Sequence, residues 1–124
     1  MAKSPQQSFV PVSLDIALYS GDGARMKITV KNPAGVAVPL TGTVAAQIRA
    51  DRQDPSAKAT WTVDLTNAAT GIVLISLSGT QTAALMNGSE LFKGFWDVQW
   101  TPTGSEPLTI LQGKATCALD VTRP

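Results

Sequence analysis

Apolar and polar residues alternate with period two along most of this chain. Leu14, Ile16 and Leu18 share one parity, and Met26, Ile28 and Val30 repeat it after Gly21-Asp-Gly23. Side chains of a strand point to opposite faces in turn, so each stretch has one apolar face to bury. The pattern predicts strands over about 13–19 and 24–31, joined as a hairpin by the Gly-Asp-Gly turn. Glycine reaches the positive φ angles that such turns need.

The alternation returns further on. Val44, Ala46 and Ile48 point inward over 43–49, and Trp61, Val63 and Leu65 do so over 60–65. Over 72–77, Val73, Ile75 and Leu77 point inward and Leu74 outward. Trp96, Val98 and Trp100 form one face of a strand over 94–100, and 108–111 with 114–121 form a last long strand. Gly113 is expected to be a bulge or bend within it. The period changes only over Ser78 to Met86, where Ser78 or Thr80 can cap a short helix and Asn87-Gly88 can end it. Leu85 on that helix is expected to plug one end of the core. Turns fall at Asn32-Pro-Ala-Gly35, at 50–57, at Asn67-Ala-Ala-Thr-Gly71 and at 101–107.

Seven or eight short strands with one brief helix indicate an all-β protein, a β-sandwich or small barrel. Nothing divides residues 13–124 into two domains. Residues 1–12 read as an extended N-terminal arm, because Pro5 and Pro11 remove backbone donors and the intervening residues are mostly polar. Phe9-Val-Pro-Val12 is nevertheless apolar. The arm is expected to be mobile in the isolated subunit and to dock on a neighbour through Phe9 and Val12.

Composition narrows the function. Of 124 residues 44% are hydrophobic and only 15% charged, against about 25% charged in ordinary proteins. A surface so poor in charge suits contact with neighbours as well as it suits a small-residue β domain. The formal net charge is +1, with no clustered basic stripe for nucleic acid or anionic lipid. No run approaches the ~20 apolar residues of a membrane span, and the first residues lack the apolar core of a signal peptide. The chain is therefore expected to be made in a cytoplasm.

Candidate chemistry is sparse. The chain contains no histidine and one cysteine, Cys117. A Ser or Cys triad lacks its base, and a zinc site lacks its ligands. Cys117 alternates with Ala115 and Leu119 and is expected to be a buried small residue. Asp51, Gln53 and Asp54 lack the spacing and glycine of a calcium loop. No catalytic residue, metal or cofactor is expected. Trp61, Trp96 and Trp100 lie on inward faces, so they are assigned to the core and not to a sugar-binding surface. Tyr19, Phe92 and Phe95 are freer for external contacts, as is the outward Leu74.

The order of motifs carries a resemblance. The pieces are Asp15-Ile-Ala-Leu-Tyr-Ser-Gly-Asp22, the strand Arg25 to Lys31, and Val38-Pro-Leu-Thr-Gly42 leading into Ala45-Ala-Gln-Ile-Arg49. They continue with Gly71-Ile-Val-Leu-Ile-Ser-Leu77, Thr80-Gln-Thr-Ala-Ala-Leu85 and Trp96-Asp-Val-Gln-Trp100. The last is Leu111-Gln-Gly-Lys114 running on to Asp120-Val-Thr-Arg123. Over residues 13–123 the chain resembles the β-sandwich domain of baseplate, tail-tip collar and other virion-associated proteins of long-tailed bacteriophages. The N-terminal domain of the baseplate upper protein is one relative.

The resemblance implies an immunoglobulin-like antiparallel sandwich used as an assembly module, with no catalytic or binding residues to transfer. Baseplate relatives continue into a linker and receptor-binding parts, whereas this sequence stops at Pro124. The expectation is a homo-oligomeric virion subunit of the tail or baseplate, made in the host bacterial cytoplasm, that joins or decorates larger virion proteins. A capsid decoration or head–tail junction subunit is the alternative within the same class. A carbohydrate-binding module contacting host glycans through Tyr19, Phe92 or Phe95 is the alternative of another class.

Overall fold

The computed structural model describes residues 12–119. Its strands are β1 (Val12–Ser13), β2 (Ile16–Tyr19), β3 (Ala24–Thr29), β4 (Thr43–Arg49), β5 (Ala59–Thr60) and β6 (Thr62–Asp64). A 3-10 turn (Ala68–Thr70) leads to β7 (Ile72–Leu77), helix α1 (Gly79–Met86), β8 (Leu91–Thr101) and β9 (Leu108–Ala118). One sheet has the order β1-β9-β8-β4-β5, with β2 also pairing β9, and the other has the order β3-β7-β6. β3, β7 and β6 thus take the places of strands B, E and D, and β4, β8 and β9 those of C, F and G, with β5 as C′. The domain is an immunoglobulin-like β-sandwich.

The inward parity expected from the sequence is the buried face in the central strands, while Leu14, expected inward with Ile16 and Leu18, is 43% exposed. Val44, Ala46 and Ile48 of β4, Val73, Ile75 and Leu77 of β7, and Trp96, Val98 and Trp100 of β8 are all buried. Antibody domains pin their two sheets with a disulfide between strands B and F, which one cysteine cannot supply. Two tryptophans meet in the core instead: the Trp61 and Trp96 rings lie 5.8 Å apart at 46°. Cys117 is fully buried, as expected. Leu85 of α1 is buried and closes one end of the core. The helix is stopped and started locally. Ser78 Oγ accepts the Gln81 N–H while Gln81 Oε1 accepts the Ser78 N–H, and Asn87 at φ 45° ends it.

Three expectations are corrected. The first is the hairpin. β2 and β3 do not pair; β2 lies on β9 of one sheet and β3 on β7 of the other. Gly21 (φ 88°) turns the chain between sheets, not back on itself. The buried Thr82 of α1 holds this corner, accepting the Gly21 N–H at 3.0 Å and donating to Asp22 O at 2.9 Å. The second is the strand over 60–65, which breaks at Trp61. β5 pairs β4 in the larger sheet, β6 pairs β7 in the smaller one, and Trp61 crosses between them. Alternation survives the crossing because both halves face the same core.

The sandwich is mainly antiparallel, as expected, with nine strands among the described residues; β1 and β2 run parallel to β9. The third correction is the bulge. The ladder between β8 and β9 shifts where Val98 faces Leu111 and Gln99 faces Thr109, which leaves Ile110 as the extra residue. Gly113 is in register opposite Trp96. It is small for another reason: a Cβ there would overlap Leu14 O. The Leu14 carbonyl passes over Gly113 to accept the Trp96 indole N–H at 2.8 Å. Asp15 Oδ1 accepts the Lys114 N–H beside it.

Candidate assembly surface

Among the described residues the two sheets leave one side of the sandwich open. β1 and β2 form an edge of the larger sheet, and β3 is an edge of the smaller one. Immunoglobulin constant-type domains have a strand A beside B in this sheet; among the described residues β3 has β7 as its one sheet neighbour. Because the Val30 N–H bonds Gly71 O and bonding direction alternates along a strand, the backbone groups of Arg25, Lys27 and Thr29 face the open side.

Beneath this edge runs a slot. Its half near Lys31 is a groove of about 460 Å³ whose walls include Val12 and Leu14 on one side, Ile28 and Val30 on the other, with Ile110 and Leu111. Its half near the Gly21 corner, about 330 Å³, is walled by Leu18, Tyr19, Ala24 and Trp61 among others. Met26 borders both halves, so the slot follows the whole length of β3. Trp61 is 3% exposed, and its indole N–H has no hydrogen-bond partner among the described residues. The two lips differ in character. Val12 and Leu14 are exposed apolar residues, whereas Arg25, Lys27 and Lys31 line the β3 edge with positive charge.

The residues picked out from the sequence are spread over several surfaces. Val12 (61% exposed) and Tyr19 (49%) stand at the two ends of the β1–β2 lip. Leu74 (38%) lies on the outer face of the smaller sheet, between Lys27 and Asp64 on the flanking strands. Phe95 lies on the opposite, outer face of the larger sheet, with the Arg52 guanidinium 4.6 Å above its ring centroid. Phe92 has the inward parity of Gly94 and Trp96 and packs, half-buried, against the core. Phe9 and the rest of the arm before Val12 lie outside the described residues. The slot itself had no sequence signal, because it arises where β2 and β3, consecutive in sequence, join different sheets and do not pair.

The charged groups are arranged for loops and solvent more than for chemistry. Asp51 and Asp54 accept backbone N–H groups of Gln53 and Ser56, closing their own turns. The Ser56 N–H, with Lys58 and Arg49, holds the Asp54 carboxyl below its usual range. Thr66 does the same for Asp64 through its hydroxyl and its N–H. Burial pushes the Asp97 carboxyl up, against the pull of Arg49 and Arg52. Burial also raises the Cys117 thiol, so it is a poor nucleophile. Among the described residues no group of three or more His, Cys, Asp or Glu is placed to hold a metal ion. No described helix is long and apolar enough to cross a membrane.

No protein-family model and no curated protein matches the chain. Among solved structures it is similar to a chain of the ZIG-8–RIG-5 IG1–IG1 heterodimer, at 8% identity and a TM-score of 0.40, over 95% of this chain and 90% of that one. At that level the similarity adds nothing to the strand order.

Proposed function

We propose that the protein is a bacteriophage virion structural subunit, a small non-catalytic sandwich of the tail or baseplate that assembles with itself and with larger virion proteins. The observation that supports this is the open β3 edge above an apolar slot. Free edges are an aggregation hazard that soluble domains cover or blunt, and an assembly subunit covers them with its neighbours. The resemblance of the motif order to virion sandwiches supports a phage particle as the setting. The low charge content agrees with a surface that is shared.

The test is to purify particles of the phage that encodes this chain and label them with an antibody against it. Label on the tail or baseplate is the expected result. Label confined to the head replaces the location with a decoration role, and absence of the chain from purified particles refutes the proposal.

A further inference from the structure

We propose that the slot beside β3 receives the N-terminal arm of a second copy of this chain, which adds a strand to the β3 edge. The inference deepens the assembly reading above and rests on it.

Direction excludes the chain's own arm. The short Gly21 corner sets Tyr19 level with Ala24, and β1–β2 then run alongside β3 in the opposite sense. The slot walls agree, since Tyr19 and Ala24 border one half while Val12 and Lys31 border the other. The described chain therefore already spans the slot from one end to the other. β1 begins with Val12 at the Lys31 end and runs into the slot from there. To fill its own slot the arm would have to reverse within residues 8–11. That turn would consume Phe9, Val10 and Pro11 and offer Ala2-Lys-Ser-Pro-Gln-Gln7 to an apolar groove. An arm from another copy enters without reversing and presents Phe9 and Val10 to the groove.

Length and charge fit the same occupant. Eleven residues extend to roughly 36 Å, ample to leave one domain and cover the ~20 Å edge of another. Edge-to-edge pairing of β3 with β3 would set the row of Arg25, Lys27 and Lys31 against itself, and like charges across a pair destabilise it. Residues 4–11 carry no charge, so the arm escapes this repulsion. The added strand takes the backbone groups of Arg25, Lys27 and Thr29, which is strand addition at a sheet edge. Pro11 lacks a donor and suits an edge position.

Cysteine trapping tests this in the full chain, because the native Cys117 is fully buried. A chain carrying Ser8→Cys is mixed with one carrying Arg25→Cys, Lys27→Cys or Thr29→Cys, and oxidised. At least one mixture should give a disulfide-linked dimer of the two different chains. A chain lacking residues 2–10 should self-associate about tenfold or more weakly in sedimentation, as expected for losing a buried aromatic anchor. Cross-linking that occurs only within one chain, when both cysteines are placed in it, and is independent of concentration assigns the slot to its own arm and overturns the proposal. No cross-link in any mixture, with self-association unchanged on truncation, overturns it too. Particles separate the two levels: a chain present in virions without the cross-link keeps the assembly function and refutes the arm exchange. A cross-link in the purified protein, with the chain absent from virions, does the reverse.

Discussion

Gly113→Ala should destabilise the domain, and its cost follows from what passes over that residue. A methyl at 113 would overlap the Leu14 carbonyl oxygen, a backbone atom that cannot rotate aside. Leu14 must then lift from β9 by an amount on the order of 1 Å, because close-packed interiors have no void to absorb a methyl. That lift breaks the 2.8 Å bond from Trp96 Nε1 to Leu14 O. Orphaning this buried donor costs about 1–3 kcal/mol. The neighbouring bonds, Leu14 N–H to Gln112 O and Lys114 N–H to Asp15 Oδ1, weaken at roughly 1 kcal/mol each. Replacing Gly by Ala also restricts the unfolded chain, which offsets about 0.4–1 kcal/mol. The net expectation is a loss of about 2–4 kcal/mol. Urea unfolding followed by tryptophan fluorescence measures it, since Trp96 reports on this contact. In the double variant with Trp96→Phe the two losses should not add, because both remove the same bond. A neutral or stabilised Gly113→Ala, or full additivity, would show that β1–β2 do not depend on this crossing.

Trp96→Ala should cost about 3–5 kcal/mol, the range for a large buried aromatic; a loss under about 1 kcal/mol in the same unfolding assay would mean its face is reversed. Thr82→Val keeps the volume but leaves the Gly21 N–H without its 3.0 Å partner, so it should cost about 1–3 kcal/mol, with faster hydrogen exchange at Gly21 as the check. Burial raises the Asp97 carboxyl, so the folded state binds more protons than the unfolded one, and this residue's contribution falls as pH rises through that window. Asp97→Asn should accordingly raise the melting temperature at pH 7, with the gain vanishing below about the ordinary Asp value of 3.8; a loss at pH 7 would show that Arg49 and Arg52 outweigh burial.

The faces of the strands were legible in the sequence, and their partners were not. Val44, Ala46 and Ile48, or Trp96, Val98 and Trp100, alternate because a strand's side chains alternate whatever lies beside it. The inward face could therefore be named without knowing the neighbour. The capping box of Ser78 and Gln81 and the stop at Asn87 are equally local, set by residues three apart or by one residue's backbone. Cys117 could be placed by the same parity.

Pairing was decided only in three dimensions. Gly21-Asp-Gly23 has the composition of a hairpin turn, yet Thr82, 61 residues from Gly21, holds it as a corner between sheets. Trp61 interrupts an unbroken alternation because β5 and β6 find partners in different sheets. The small size of Gly113 was visible, but its reason is the carbonyl of Leu14, far away in sequence. The open β3 edge belongs with these. An edge is defined by the strand that is not beside it, and period-two alternation is the same for a strand with one neighbour or two.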